Sequence, residues 1–321
     1  MLAVFVSLQG QVRKATMIDP AWLRADSVAS VWVDLASPTE EEARILRDVF
    51  HFHELAIEDA LMEVHHPKVE TYGDCLYVIL HGIDFQASKH RFATHDTDFF
   101  LGRNFLVTVH DGTSRSIAHL REVCQRNSQV LNEGPAALLH RIVDTMVDNY
   151  GPEVEKLNEK LDQVEQEVFE NPHRNLARDI LTLKRDVAAM RHVVLPQRDV
   201  VSRLARREFD LIGEQVSYRF RDVYDHLVRL TDESMLFHDR LSSLLDAHLA
   251  SVSNRLNQVM KVLTVIATIF MPLTVLTGMW GMNVPLPAYP GGESAQFWWI
   301  FAIMVVTAAA MLLLFRIRRW L

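Results

Sequence analysis

Two hydrophobic rhythms divide the chain. Over residues 1–135, short β-branched or apolar runs at 3–8, 31–35, 76–80, 99–101 and 105–109 read as strands. Between them, Ser37 as N-cap with Glu40, Glu41 and Glu42 in the first turn opens a helix over 38–50. This mixture predicts an α/β domain large enough to own a core. After Gly134 and Pro135 the period lengthens. Val154, Leu157, Leu161, Val164 and Val168 recur at three and four residues, as do Leu176, Ile180, Leu183, Val187, Met190 and Val194 beyond Pro172. Over 136–212 that spacing predicts a helical coiled-coil hairpin, its charged outer faces read as solvated surface.

Between Gly213 and Pro272 there is neither glycine nor proline. A single stalk helix is therefore predicted from about 217 to 280 within a segment 213–280, roughly 90 Å long at about 1.5 Å per residue. It carries two stripes. Leu249, Val252, Leu256, Val259, Leu263, Ile266 and Phe270 form an apolar one suited to packing against copies of itself or neighbouring helices. Asp246, Ser253, Asn257, Thr264, Thr268, Met271, Thr274 and Gly278 form a second of small, polar or flexible residues.

No charge occurs from Val262 to Gly292, nor from Ser294 to Phe315, which leaves room for two helices of roughly 20 residues, the length that crosses a bilayer. The expected spans are 262–280 and 297–315, with an outer loop at 281–296 and a basic tail at 316–321. Arg255 and Lys261 precede the first span, Arg316, Arg318 and Arg319 follow the second, and the loop holds only Glu293. The positive-inside rule then places both termini in the cytoplasm of a multi-pass inner-membrane protein, with indoles such as Trp280 and Trp298 at the interface. The N-terminus has no basic segment leading into a short apolar run, so the first 255 or so residues are expected to stay cytoplasmic.

A threonine in a membrane helix can simply bond to its own backbone four residues back or join helices. The shared register of Asn257, Thr264, Thr268 and Thr274, closed by Asn283, favours a pore lining instead. Two spans cannot enclose a water-filled path, so that reading requires an oligomer and, around it, lipid. Met260 and Leu263 near the inner end are candidates for a narrow apolar collar, with ordinary packing as the alternative for Leu263.

The net charge of −8 resides in the soluble portion, which carries nearly all 41 acidic residues and argues against a nucleic-acid partner. Cys75 and Cys124 stand far apart with no C-x-x-C pair; they are expected to be buried thiols in a reducing compartment. The pairs His51/His53 and His65/His66 lack a third ligand at a metal-binding spacing. No H-E-x-x-H, G-x-S-x-G or P-loop pattern is present, so no enzyme and no resident cofactor are expected.

The segment Trp280-Gly281-Met282-Asn283, preceded by MKVLTVIATIFMPLT, resembles the Tyr-Gly-Met-Asn signature that closes the first span in the CorA family of divalent-cation transporters. The similarity extends upstream through the FRDVYDH segment at 220–226 and His66-Pro67-Lys68-Val69-Glu70. The resemblance implies a CorA-like funnel: an α/β N-terminal cytoplasmic domain, a long-helix bundle and two C-terminal transmembrane helices, assembled as a homopentamer whose first spans line the pore. It implies a selectivity filter at Gly281, Met282 and Asn283, and a regulatory metal on Asp222 shared with the α/β domain of the next subunit, where Asp74 is the candidate partner by position. Mg2+ or Zn2+ is then both cargo and regulatory ligand. Trp280 replaces the usual tyrosine, and the outer loop lacks an acidic rim. That loop leans towards the zinc-handling ZntB branch, which would be proton-coupled, whereas the first span looks more like the magnesium branch. A two-span membrane anchor for a sensor or scaffold is the rival of another class, and it would not need the polar register.

Overall fold

The computed structural model describes residues 1–24, 26–62, 66–86, 91–127, 129–170, 176–282, 292–318 and 320. The chain forms two compact units, residues 1–169 with 176–245, and residues 170–175 with 246–321.

In the first unit, β1 (Leu2–Leu8), β2 (Gln11–Ala15), β3 (Ser30–Ala36), β4 (Lys68–Tyr72), β5 (Cys75–Gln86), β6 (Arg91–Leu101) and β7 (Phe105–His110) make one sheet in the order β2-β1-β3-β7-β6-β5-β4. The β3–β7 pair is parallel and the other five pairs are antiparallel. Strand alternation sends Val33, Leu35, Val107, Val109, Ile79 and Phe100 into one core. Helices α1 (Glu40–Asp48) and α2 (Glu54–Leu61) close that core with Leu46, Ala56 and Ile57. The cap of α1 is Thr39, in a capping box with Glu42, rather than the expected Ser37. Ser37 sits at φ +44° and its hydroxyl donates to the Asp111 carbonyl instead, so it turns the chain before the helix.

A fully buried carboxylate, Asp34, lies within β3. Thr108 donates to it at 2.7 Å, His110 Nε2 lies at 3.1 Å and Arg121 at 3.4 Å, so it is hydrogen-bonded and paired. Helices α3 (Arg115–Arg126), α4 (Gln129–Asn132) and α5 (Pro135–Asp148) follow the sheet.

Strands β2 and β4 were not legible as runs, because edge strands with half-exposed polar patterns lack the apolar signal. Strands β5 and β6 extend well past the apolar runs 76–80 and 99–101. Their outer rungs, such as His81↔Asp96 and Gly82↔His95, are held by backbone pairing between polar residues.

Helices α6 (Tyr150–Glu170) and α7 (Ala177–Ala205) bury the predicted stripes, including Leu157, Leu161, Ile180, Val187 and Val194. Helix α8 (Glu214–Trp280) is 67 residues long and begins three residues before the expected start. Within the first unit it is bonded to both hairpin helices. Arg240 donates to Asp162 at 2.7 Å and to Glu165 at 2.5 Å, and Lys184 donates to Ser242 at 3.0 Å. In the second unit α8 is followed by α9 (Gly292–Ile317).

Both cysteines are free thiols. Cys124 is buried, Cys75 is half-buried rather than fully so, and burial pushes their thiols up to about 11 and about 12.

Candidate ion path and regulatory carboxylates

The membrane-length part of α8 exposes both stripes. Leu256, Val259, Met260, Leu263, Phe270 and Met271 are each about 60 to 70 % exposed, and the windows of α8 and α9 long and apolar enough to cross a membrane are each only 6 % buried. Such a surface is unaffordable in water and calls for lipid or further copies of the chain. Asp246, Asn257, Thr264 and Thr274 on the second stripe are also exposed, and Thr268 is half-buried.

At about 100° per residue, Asp246, Asn257, Met260, Thr268 and Met271 fall within about 40° of Thr264. Gly278 falls at the edge of the same sector, whereas Thr274 lies about 80° away, beside Leu263 at about 100° on the apolar stripe. The collar expected of Met260 and Leu263 therefore divides: Met260 shares the polar line, whereas Leu263 flanks it.

The threonine hydroxyls are committed to the helix itself. Thr264 donates to the Met260 carbonyl at 2.7 Å, Thr268 to the Thr264 carbonyl at 2.7 Å, and Thr274 to the Phe270 carbonyl at 2.9 Å. This is the back-bonded geometry open to any threonine in a membrane helix. It also fixes what the row can offer, because a hydroxyl whose proton is spent presents only lone pairs outward. Pro272 adds another acceptor. Lacking an N–H, it has nothing to give the carbonyl of Thr268, four residues back on the polar line. The proline was visible in the sequence, and its register with Thr268 is the signal that could have marked this position. Isosteric Thr264→Val with Thr268→Val is expected to leave the fold intact and to cut cation flux several-fold through lost acceptors. Flux at the parental rate, measured in proteoliposomes, would return these residues to a packing role.

The α8 end narrows the options at Gly281. Its N–H donates to Thr277 O at 2.9 Å, and an added Cβ would stand 3.2 Å from that same oxygen, so glycine lets the last turn close. Met282 is exposed. Asn283 and the loop to residue 291 lie outside the described residues.

The two regulatory candidates are both on the surface of the first unit. Asp222 is exposed on α8, and Asp74 is exposed in the β4–β5 turn, where Gly73 adopts φ +59°. Neither makes a hydrogen bond or ion pair among the described residues. Asp222 belongs to an acidic surface with α5: burial raises the Asp144 carboxyl above its ordinary value, and Asp148 and Asp222 push the same way against His140 and His226. His226 Nδ1 lies 3.7 Å from Asp148.

Three of the four histidines of these pairs are described, and each has a contact of its own. His51 lies in a loop at φ +53° with Nδ1 3.0 Å from the Arg47 carbonyl, and His53 caps α2 by accepting from Leu55 N–H. His66 instead faces His192, with ring centroids 4.9 Å apart, and His65 lies outside the described residues. Among the described residues no group of three His, Cys, Asp or Glu is placed to hold a metal.

The family model for the CorA-like Mg2+ transporter protein matches residues 28–319. The chain belongs to this family. It is 32 % identical over 96 % of its length to the cobalt/magnesium transport protein CorA of Thermotoga maritima, of which the match covers 88 %. It is 25 % identical over 88 % of its length to the zinc transport protein ZntB of Yersinia pseudotuberculosis, covering 86 % of that protein. Its fold is that of the complete CorA magnesium transporter structure from Methanocaldococcus jannaschii, with a TM-score of 0.87, 23 % identity and coverage of 100 % of this chain and 99 % of that one. The CorA family is one of membrane transporters rather than enzymes, and divalent cations are what it carries. The α/β domain, long helix and two C-terminal apolar helices of this CorA-family chain are the architecture expected from its sequence.

Proposed function

We propose that the chain assembles as a homopentamer in the cytoplasmic membrane, with both termini inside, and conducts a hydrated divalent cation, Mg2+ with Co2+, Ni2+ or Zn2+ as further cargo, along the polar line of α8. The observation that carries this reading is the polar line of Asn257, Thr264 and Thr268, exposed or half-buried, on a membrane-length helix flanked by an exposed apolar stripe. In a lone chain that row would face hydrocarbon, where polar groups are costly. In a ring of copies the apolar stripe packs and the row faces the axis.

The row suits a cation that keeps its water. Mg2+ dehydrates reluctantly, and its bound waters turn their hydrogens outward. Back-bonded threonine oxygens and the Thr268 carbonyl accept from such hydrogens without stripping the ion. No carboxylate lies between Val262 and Gly292 to trap it, so the ion can also leave. Gly281, Met282 and Asn283 form the outer filter in this proposal. At the other end, metal held between Asp222 and Asp74 of neighbouring subunits lowers the repulsion among exposed carboxylates and holds the path shut.

The test is flux into proteoliposomes of purified chain with Mg2+, Co2+, Ni2+ and Zn2+, each with and without an imposed proton gradient. Uptake of a divalent ion without a gradient supports the proposal; absence of flux for every ion favours the membrane anchor. Zinc uptake that requires the gradient would select the ZntB-type reading, which the single acidic residue of the outer loop, Glu293, favours.

A further inference from the structure

The β5–β6 hairpin holds a carboxyl that transport does not use. Asp98 is 5 % exposed, and one of its oxygens accepts from the fully buried Tyr77 hydroxyl at 2.5 Å. Among the described residues it has no ion-pair partner. It is nevertheless not sealed, because it lines a cleft of about 440 Å³ together with Ser37, His95, Asp96, His110 and Asp111.

The charged groups around it are spent elsewhere or have the wrong sign. From α2 comes Asp59 and from β4 come Lys68 and Glu70, with Lys68 held by Asp59 at 2.6 Å and Glu70 at 3.0 Å. From β5 comes His81, whose Nδ1 is 2.6 Å from Asp96 of β6. His95 pairs with Asp111 at 2.6 Å, and His110 with Asp34. A carboxyl removed from water with no cation of its own prefers the neutral form. Burial, with Asp96 and Asp59 adding to it, pushes Asp98 up to about 7 against the opposing Tyr77 hydroxyl and His81.

The neighbouring pair is wired into the helical hairpin. The His81 N–H donates to Gln197 Oε1 of α7 at 2.8 Å, and the Tyr150 hydroxyl of α6 donates to the His81 carbonyl at 2.9 Å. Gln197 in turn donates to Tyr150 at 2.7 Å, closing the loop of bonds. Arg240 and Lys184 then join α6 and α7 to α8.

We propose that Asp98 is a proton-sensing carboxyl of the N-terminal α/β domain: its charge state, felt by the hairpin-held His81–Asp96 pair, sets the divalent-cation concentration at which the domain responds. The metal half of this inference rests on the regulatory reading above. The direction follows from charge. Protonated Asp98 leaves the domain less negative, so more cation is needed at lower pH.

Two measurements on the full chain in detergent test it. The first is thermal melting against pH. Because the folded chain keeps a proton on Asp98 that the unfolded chain releases, the stability this group contributes is present below about pH 4 and lost as pH rises through about 7. Asp98→Asn still accepts from Tyr77 but cannot ionise. Its melting temperature should therefore gain on the parent by a few degrees, about 3 °C or more, between about pH 5 and pH 8. Parallel profiles overturn the proposal. Tyr77→Phe removes the hydroxyl that donates to the carboxylate and should move the transition to higher pH; an unmoved transition also overturns it. The second measurement is protection from protease by Mg2+. The parent should need about three-fold more Mg2+ at about pH 6 than at about pH 8, and Asp98→Asn should show no such shift. Equal shifts in both chains overturn the coupling. If Mg2+ protects at no pH, the regulatory reading fails and the coupling with it, whereas the melts still decide whether Asp98 takes up the proton.

Discussion

Asn283→Ala is expected to lower divalent-cation flux in proteoliposomes by about ten-fold or more while leaving assembly intact. Every copy in a ring would lose the same amide oxygen at once, so a small change in one chain removes a whole shell of acceptors. A hydrated ion arriving from outside would then meet only the backbone of Gly281 and Met282, with no side chain to replace bulk water. Asn283→Gln keeps the amide but displaces it by one methylene, and should recover binding better than conduction. Unchanged flux in the alanine chain would remove Asn283 from the filter. Lost flux accompanied by loss of the oligomer would show a structural role instead, so oligomer mass must be read in parallel.

Asp222→Ala is expected to raise the Mg2+ concentration that protects the chain from protease by about ten-fold or more, with transport persisting at cation levels that shut the parent. The side chain is exposed and unpaired among the described residues, so the substitution should cost the isolated fold little. Its effect on Asp144 should be visible as well. Removing one of the two acidic neighbours should let that carboxyl titrate at lower pH. Asp74→Asn separates the two halves of the assignment. A shift with Asp222→Ala but none with Asp74→Asn would keep the α8 ligand and require a different partner.

What was legible in the sequence depended on how local the cause was. The 67-residue α8 could be read because helix continuity depends on the absence of breakers along one segment. The strands of the core could be read from β-branched runs such as 31–35 and 105–109. The outer rungs of β5 and β6 could not. Their stability comes from pairing between residues such as His81 and Asp96, which no pattern along one strand reveals. Ser37 was mistaken for the cap of α1 because Ser37 and Thr39 carry the same chemistry. The choice was settled by Glu42, which reaches Thr39 N–H from three residues on. The polar line of α8 was readable as a period, but the direction of each threonine proton was not. That depends on which carbonyl stands within reach once the helix is built. Asp98 is not legible in the sequence, because nothing in THDTDFF distinguishes a buried acid from the acids around it.

The committed threonine protons have one more consequence. A surface that turns only lone pairs outward discriminates between ions by sign while carrying no net charge. The water around an anion presents oxygen to its surroundings, and oxygen against oxygen is repulsive. A neutral wall built from Thr264, Thr268 and the carbonyl freed by Pro272 would therefore turn away chloride and phosphate as effectively as it welcomes a wet cation, with no acidic ring to hold the cation back.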